Sequence, residues 1–274
     1  MHMQVIGMIA IFLYLSATFV IGARLFAAEK GRKISRNTPR LLAGAALVAH
    51  AFVLQGMLLT PEGINLGFFN ALSLVAALTV LLLLAGSLVS PVENLGLLLF
   101  PFAALSIALA FAYPMQASPS GMNDWKIDLH IVLSFAAYSV LALAALQALV
   151  LAWQDRQLRK RRISRLVGRL PPLQTMENLL FQLLAGGFFL LSVALVTGFL
   201  FLENIFAQHL VHKTVLSLLA WVLLAVLLWG RWRFGWRGRK AVHLTLSVFL
   251  LLMLAYFGSK FVLELVLHGR PTGP

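Results

Sequence analysis

The feature that most constrains this chain is a set of eight long apolar runs, at residues 3–23, 41–59, 68–89, 95–112, 129–151, 179–202, 214–229 and 242–262. A helix needs about 20 mostly apolar residues to cross a hydrocarbon layer of ~30 Å. Eight such helices take up roughly 160 residues. In a chain of 274 residues the remainder makes loops but no separate soluble domain. The expected fold class is therefore all-α: a polytopic integral membrane helix bundle of about eight transmembrane helices, forming a single domain over residues 1–274. Composition agrees, with 61% apolar and 11% charged residues, where a soluble domain carries about a quarter charged. A water-soluble enzyme is excluded.

The formal net charge of +13 by itself suggests a nucleic-acid partner, but its placement points elsewhere. The loops between runs one and two, five and six, and seven and eight hold 18 of the 22 Lys and Arg. The other side holds only Lys126, Lys213, Lys260 and Arg270. By the positive-inside rule the basic loops are cytoplasmic. An even number of spans then makes both termini extracytoplasmic, with membrane lipid as the surrounding partner and no nucleic acid. A sharper alternative gives the 159–165 stretch a specific contact with anionic lipid or with a partner inner-membrane protein. The start, MHMQVIGMIAIFLYLSATFV, has no basic leader and is apolar for a full span, so it reads as a retained first helix.

Cysteine is absent, which removes thiolate metal sites, disulfides and thiol nucleophiles together. Any metal must be held by His, Met or carboxylate. Of the seven His, five (His2, His130, His209, His212 and His268) fall on the side opposite the basic loops. Two axial imidazoles on facing helices hold a haem iron, and helix ends at a membrane surface supply that arrangement.

Two of these His carry local context. Tyr256, Lys260, Glu264 and His268 recur at spacing four, so they share one helical face. Either that stripe orients an axial His and offers a cation to a haem propionate, or Lys260 and Glu264 form a snorkelling pair beside an incidental His. His130, Ser134 and Tyr138 repeat at the same spacing, facing either a ligand or neighbouring helices. His50 lies deep in the second run, where an ionisable residue is a functional hypothesis by default. Its candidate partners are Asn65, Asn70 and Ser73, and its bland reading is a neutral imidazole hydrogen-bonded across a helix interface. Gly186, Gly187 and Gly198 read as close-packing positions. The turn at residues 90–94 reads as a hairpin with ordinary breaker residues.

Absences narrow the field. No acidic residue lies within a run, which argues against a carboxylate proton relay. There is no phosphate-cradling loop and no dinucleotide fingerprint. A permease would call for helices interrupted by paired Gly or Pro near the midplane.

The segments DWKIDLHIVLSFAAYSVLALAALQALVLAW (124–153), PPLQTMENLLFQ (171–182), TVLSLLAWVLLAVLLWGRWRFGWRGRKAV (214–242) and LAYFGSKFVLELVLHG (254–269) together resemble the cytochrome c assembly transmembrane family. More narrowly they are similar to its inner-membrane branch of YpjD-like and HemX-like proteins. The resemblance implies a haem-handling eight-helix core, with two outer His flanking a tryptophan-rich loop and further His in the membrane. It matches His130 to the first outer His and His268 to the second, as axial ligands of haem b. It matches His50 to the in-membrane His, a candidate ligand of a second haem iron with Met57 as a candidate sixth ligand. His212 joins them as a candidate cofactor-binding residue on the same face.

The pattern also departs from the family. Residues 201–213, FLENIFAQHLVHK, hold no Trp where the tryptophan-rich loop belongs. Trp229 stands where synthase members carry a His. The expectation is thus a multi-pass protein of the bacterial inner membrane that binds haem in haem handling or cytochrome c biogenesis, rather than an enzyme that attaches it. The alternative is a scaffold or regulator of haem synthesis, or of a partner membrane protein, without bound haem.

Overall fold

Every backbone N–H and C=O inside a hydrocarbon layer needs a partner within the chain, and a continuous helix supplies one for each residue. The computed structural model describes residues 2–26, 35, 37–61, 63–90, 92–114, 125–160, 168, 170–201, 208–262 and 264, with the side chains of 26 and 208–210 outside the description. The helices are α1 (His2–Phe26), α2 (Asn37–Leu58), α3 (Phe68–Val89), α4 (Gly96–Ala112), α5 (Trp125–Arg159), α6 (Leu173–Phe201), α7 (Gln208–Phe234) and α8 (Arg239–Met253). A π-helical turn, Leu254–Gly258, continues α8. Among the described residues, eight helical stretches are long and apolar enough to cross a membrane. The chain is an all-α polytopic membrane protein.

Several helices overrun the apolar runs that announce them, α5, α6 and α7 most of all. The run at 129–151 lies inside the 35-residue α5, which at 1.5 Å per residue is ~52 Å long. Apolarity marks only the lipid-facing part of a helix, whereas hydrogen bonding continues it into the interface. At the far end of α5 the overrun is held by an Asp155–Arg159 pair at 2.8 Å and by Gln154 Nε2 donating to the Pro171 carbonyl at 2.9 Å. Among the described residues one regular element is not helical: β1 (Leu59–Thr60) and β2 (Gly63–Ile64) form a small antiparallel hairpin between α2 and α3. Gly63 sits there at φ 127°, a backbone conformation that disfavours any side chain.

Side-chain contacts sort the helix ends. The start of α3 stacks on the end of α4 through Phe69 and Tyr113, with ring centroids 5.3 Å apart. The start of α5 meets the end of α6 through His130 and Thr197, and the start of α3 meets the end of the α8 segment through Leu66 and Lys260. The start of α1 meets the ends of α2 and α4, where a Cβ on Gly56 would strike Met3 and one on Gly7 would strike Phe111. Lys213 near the start of α7 lies over the Tyr256 ring. Successive helices therefore alternate in direction, and His2, His130 and His212 lie at one end of the bundle. Arg24, Arg40, Arg156, Arg159, Lys160 and the basic residues from Arg231 to Lys240 lie at the other.

Two apolar cores result. One is formed by α1–α4 around Tyr14, Ile21, Leu83 and Ile107. The other is formed by α5–α8 around Leu141, Leu180, Leu184, Leu224 and Leu252. Helix α3 packs against α5 and joins the two, with Thr79 Oγ1 donating to the Ser139 carbonyl at 3.5 Å. Phe19 and Leu200 point outward, 76% and 72% exposed; such surface is stable only against lipid.

The turn after α3 does more than break the chain. Glu93 begins a short 3-10 turn and is buried. Its Oε1 accepts from Arg40 Nη2 at 2.6 Å, and the same nitrogen donates to the Ser87 carbonyl. The pair ties the start of α2 to the α3–α4 turn. Removing one partner of a buried pair strands a charge. We expect Glu93→Gln to lower the unfolding free energy by ~2–3 kcal/mol, below the fully buried range because Arg40 keeps some solvent contact. Thermal unfolding in detergent measures this, and an unchanged melting temperature would mean that the pair does not hold the turn.

Candidate functional site

His130 stands in the second turn of α5 and faces the last turns of α6. Its Nδ1 lies 2.9 Å from the Ala194 carbonyl and 3.2 Å from Thr197 Oγ1. A carbonyl only accepts, so Nδ1 carries the proton and Nε2 keeps its lone pair. Thr197 Oγ1 donates to the same carbonyl at 2.9 Å, completing a small polar cradle. Among the described residues nothing bonds to Nε2. A Cβ on Gly198 would come within 3.0 Å of the imidazole Cε1, so this glycine leaves room for the ring. Such outer hydrogen bonding selects the tautomer and orientation of an imidazole that ligates a metal.

The stripe on α8 is clamped to the start of α3. Lys260 pairs with Glu264 at 2.9 Å and also donates to the Leu66 carbonyl. Glu264 Oε2 accepts from the Phe68 N–H at 2.7 Å, one of the amides that a helix start leaves open. Tyr256 donates to the Leu66 carbonyl at 3.2 Å. Both sequence readings of the Lys260–Glu264 pair thus omitted its partner, the backbone of residues 66–68. Tyr138 donates to the Leu252 carbonyl at 2.7 Å, joining α5 to α8. His268 lies outside the described residues. Glu264, four positions before it, is at the same end as His130.

His50 is fully buried in α2. Its Nε2 is 2.7 Å from Ser73 Oγ, and its Nδ1 is 3.3 Å from the Tyr14 hydroxyl. A hydroxyl can donate or accept, so Tyr14 and Ser73 partner the two ring nitrogens of the neutral imidazole and neither nitrogen is free. Ser73 was among the partners foreseen. Asn65 and Asn70 serve the helix start instead: Asn65 Oδ1 accepts from the Gly67 N–H at 3.1 Å, and Asn70 donates to the Asn65 carbonyl at 3.4 Å. Tyr14 was missed, although a polar ring in the middle of an apolar first span is a readable signal. Met57 is partly buried against the α1–α4 core.

The remaining His are peripheral. His212 is exposed on the first turns of α7, His2 is exposed at the start of α1, and His243 is exposed at the basic end. His209 has a described backbone only. Of the glycines, Gly187 packs under Leu141 and Gly198 under His130, whereas Gly186 faces open space.

Eight alternating helices and, among the described residues, an oriented imidazole with one unpartnered nitrogen at the end opposite the basic residues define a polytopic membrane protein with a histidine-centred candidate site. The chain belongs to the family described as Cytochrome C assembly protein, whose match covers residues 39–267. It is 37% identical over 235 residues, 81% of this chain and 84% of the relative, to the inner membrane protein YpjD of Escherichia coli strain K12. It is 23% identical to the cytochrome c biogenesis protein CcsA of Guillardia theta, covering 66% of this chain and 64% of that one. It is 24% identical to the protein HemX of Brevibacillus brevis, covering 53% and 54%. No solved structure matches the chain significantly. The chain is a multi-pass inner-membrane protein.

The His50 network yields a stability prediction. Ser73→Ala leaves Nε2 unpaired in a dry site and should cost ~1–2 kcal/mol. Tyr14→Phe, which removes the longer bond, should cost less. Thermal unfolding of the two variants in detergent ranks them, and the reverse order would contradict the assignment.

Proposed function

We propose that this protein binds haem b at the histidine end of the bundle, through His130 and His268 as axial ligands, and acts in haem handling or cytochrome c biogenesis. The observation that carries the reading is His130 itself: its Nδ1 is tied to Ala194, and its Nε2, at a helix end, meets no partner among the described residues. Family membership supports a haem-related role, as does likeness to a relative named for cytochrome c biogenesis.

The donor set suits haem. A porphyrin supplies four of the iron's ligands, so one or two imidazoles suffice. Among the described residues no three His, Asp or Glu gather to hold a bare ion. When bound, the haem supplies an iron centre capable of one-electron exchange. His130 orients and ligates, and Thr197 with the Ala194 carbonyl holds its tautomer. Because Lys260 is engaged by Glu264 and Leu66, Lys213 is the better cation for a propionate: it lies 5.7 Å from the Tyr256 centroid, with no paired carboxylate among the described residues. His212, exposed on α7, is the substitute second ligand. For His50 the observed partners favour a hydrogen-bond hub joining α1, α2 and α3 over coordination of a second iron.

In this reading the basic end faces the cytoplasm, and both termini and the haem lie on the other side. We treat the whole chain as one membrane domain.

The detergent-purified protein should show a Soret band with low-spin bis-imidazole features in the oxidised and reduced states. His130→Ala and His268→Ala should each weaken or convert it, and the double variant should abolish it while eluting as a monodisperse species. Equal haem content in wild type and double variant would remove both ligands from the site.

A further inference from the structure

At the basic end, the last turns of α5 and the first turns of α6 and α8 enclose a cavity of about 370 Å³, within the range of small-ligand pockets. Its floor is apolar, formed by Leu151, Leu173 and Val242, and its rim is charged. Four cations line it: Arg156, Arg159, Lys160 and Arg239. Only two carboxylates do, and both are engaged. Asp155 is bound by Arg159 at 2.8 Å and approached by Arg239 at 3.9 Å. Glu177 accepts from the Gly238 N–H at 2.9 Å. Among the described residues, no carboxylate pairs with Arg156 or Lys160. The lining therefore carries an excess of two positive charges, and two of its cations pair with no carboxylate among the described residues.

The depth of the cavity narrows the occupant. Trp153 lies one turn before Arg156 on α5, partly exposed. Trp236 lies just before α8 and carries the Lys240 ammonium 3.4 Å from its ring centroid. Tryptophans at this position mark the level of lipid headgroups. A basic rim over an apolar floor at that level matches a ligand with an anionic head and hydrocarbon chains. Guanidinium groups meet phosphate oxygens in a bidentate fork, and basic pockets between transmembrane helices take anionic head groups.

We propose that this cavity is a binding site for the phosphate head group of an anionic phospholipid, with Arg156 and Lys160 as its principal cations and Arg239 closing it from α8. The site is separate from the histidine end and does not depend on haem binding.

Native mass spectrometry of the full-length, detergent-purified protein tests this, with dioleoylphosphatidylglycerol as probe and dioleoylphosphatidylcholine as the zwitterionic comparison. Phosphatidylglycerol should form retained adducts, and Arg156→Gln/Lys160→Gln should weaken them roughly tenfold or more, since each surface cation contributes about a factor of five. Arg156→Lys/Lys160→Arg, which keeps the charge, should retain most of the binding and guards against a folding artefact. Arg233→Gln/Arg237→Gln removes two exposed cations of the same end outside the cavity and should change it less than about twofold. Equal loss in both neutralised variants means a diffuse surface charge and overturns the site, as does equal retention of phosphatidylcholine. If millimolar inorganic phosphate displaces phosphatidylglycerol from the wild type, the cavity takes a soluble phosphate and the lipid assignment falls.

Discussion

A polar group held in hydrocarbon has no water to fall back on, so each one inside this bundle has to find its partner within the chain. The positions where helices touch follow from that requirement as much as from apolar packing. His50 draws α1 and α3 onto α2 through Tyr14 and Ser73. Tyr138 reaches a carbonyl of α8, and Gln147 reaches the Met176 carbonyl of α6 at 3.0 Å. Leucines could pack in many registers at similar energy; these bonds exist in one. Polar residues thus set which turn of one helix lies against which turn of the next.

The same requirement shapes the two ends differently. At the histidine end the α8 segment must satisfy both a free carbonyl and a free amide at the start of α3. The wider π turn at residues 254–258 re-aims the segment, and Tyr256, Lys260 and Glu264 then serve Leu66 and Phe68 together. This clamp joins the two four-helix cores at the same end of the bundle as His130. At the basic end Arg40 and Glu93 do comparable work within the first core. The cations around Arg156 are left in excess, and they rim a cavity rather than close a helix contact. The histidine and basic chemistries therefore lie at opposite ends of the bundle.

Much of this was legible from residues alone. The eight spans, the sorting of the described basic-loop residues to one end and of His130 and His212 to the other, and Ser73 as a partner of His50 all appear in the structure. They rest on local periodicity and hydropathy, which need no knowledge of neighbours. Glu93 read as a turn breaker, because nothing in SPVEN announces an arginine from α2. Lys260 read as a side chain free to meet a propionate or to snorkel, because a helical stripe shows the spacing of a pair but not the backbone it leans against. Helices α5, α6 and α7 run well past their apolar runs, because hydropathy stops at the edge of the lipid and hydrogen bonding does not, whereas α3 coincides with its run.

Apolar run length and charge placement by themselves determined the class of fold, the number of crossings and their alternation, since lipid imposes those on any chain of this composition. Only the tertiary structure decided what each polar residue does. The proton on the Nδ1 of His130 is assigned by a carbonyl 64 positions away in sequence, both nitrogens of His50 are taken by two other helices, and the rim of the basic cavity comes from α5, α6 and α8. A hydrogen bond depends on which groups meet, and that is settled by packing between helices, about which the order of residues along one helix says nothing.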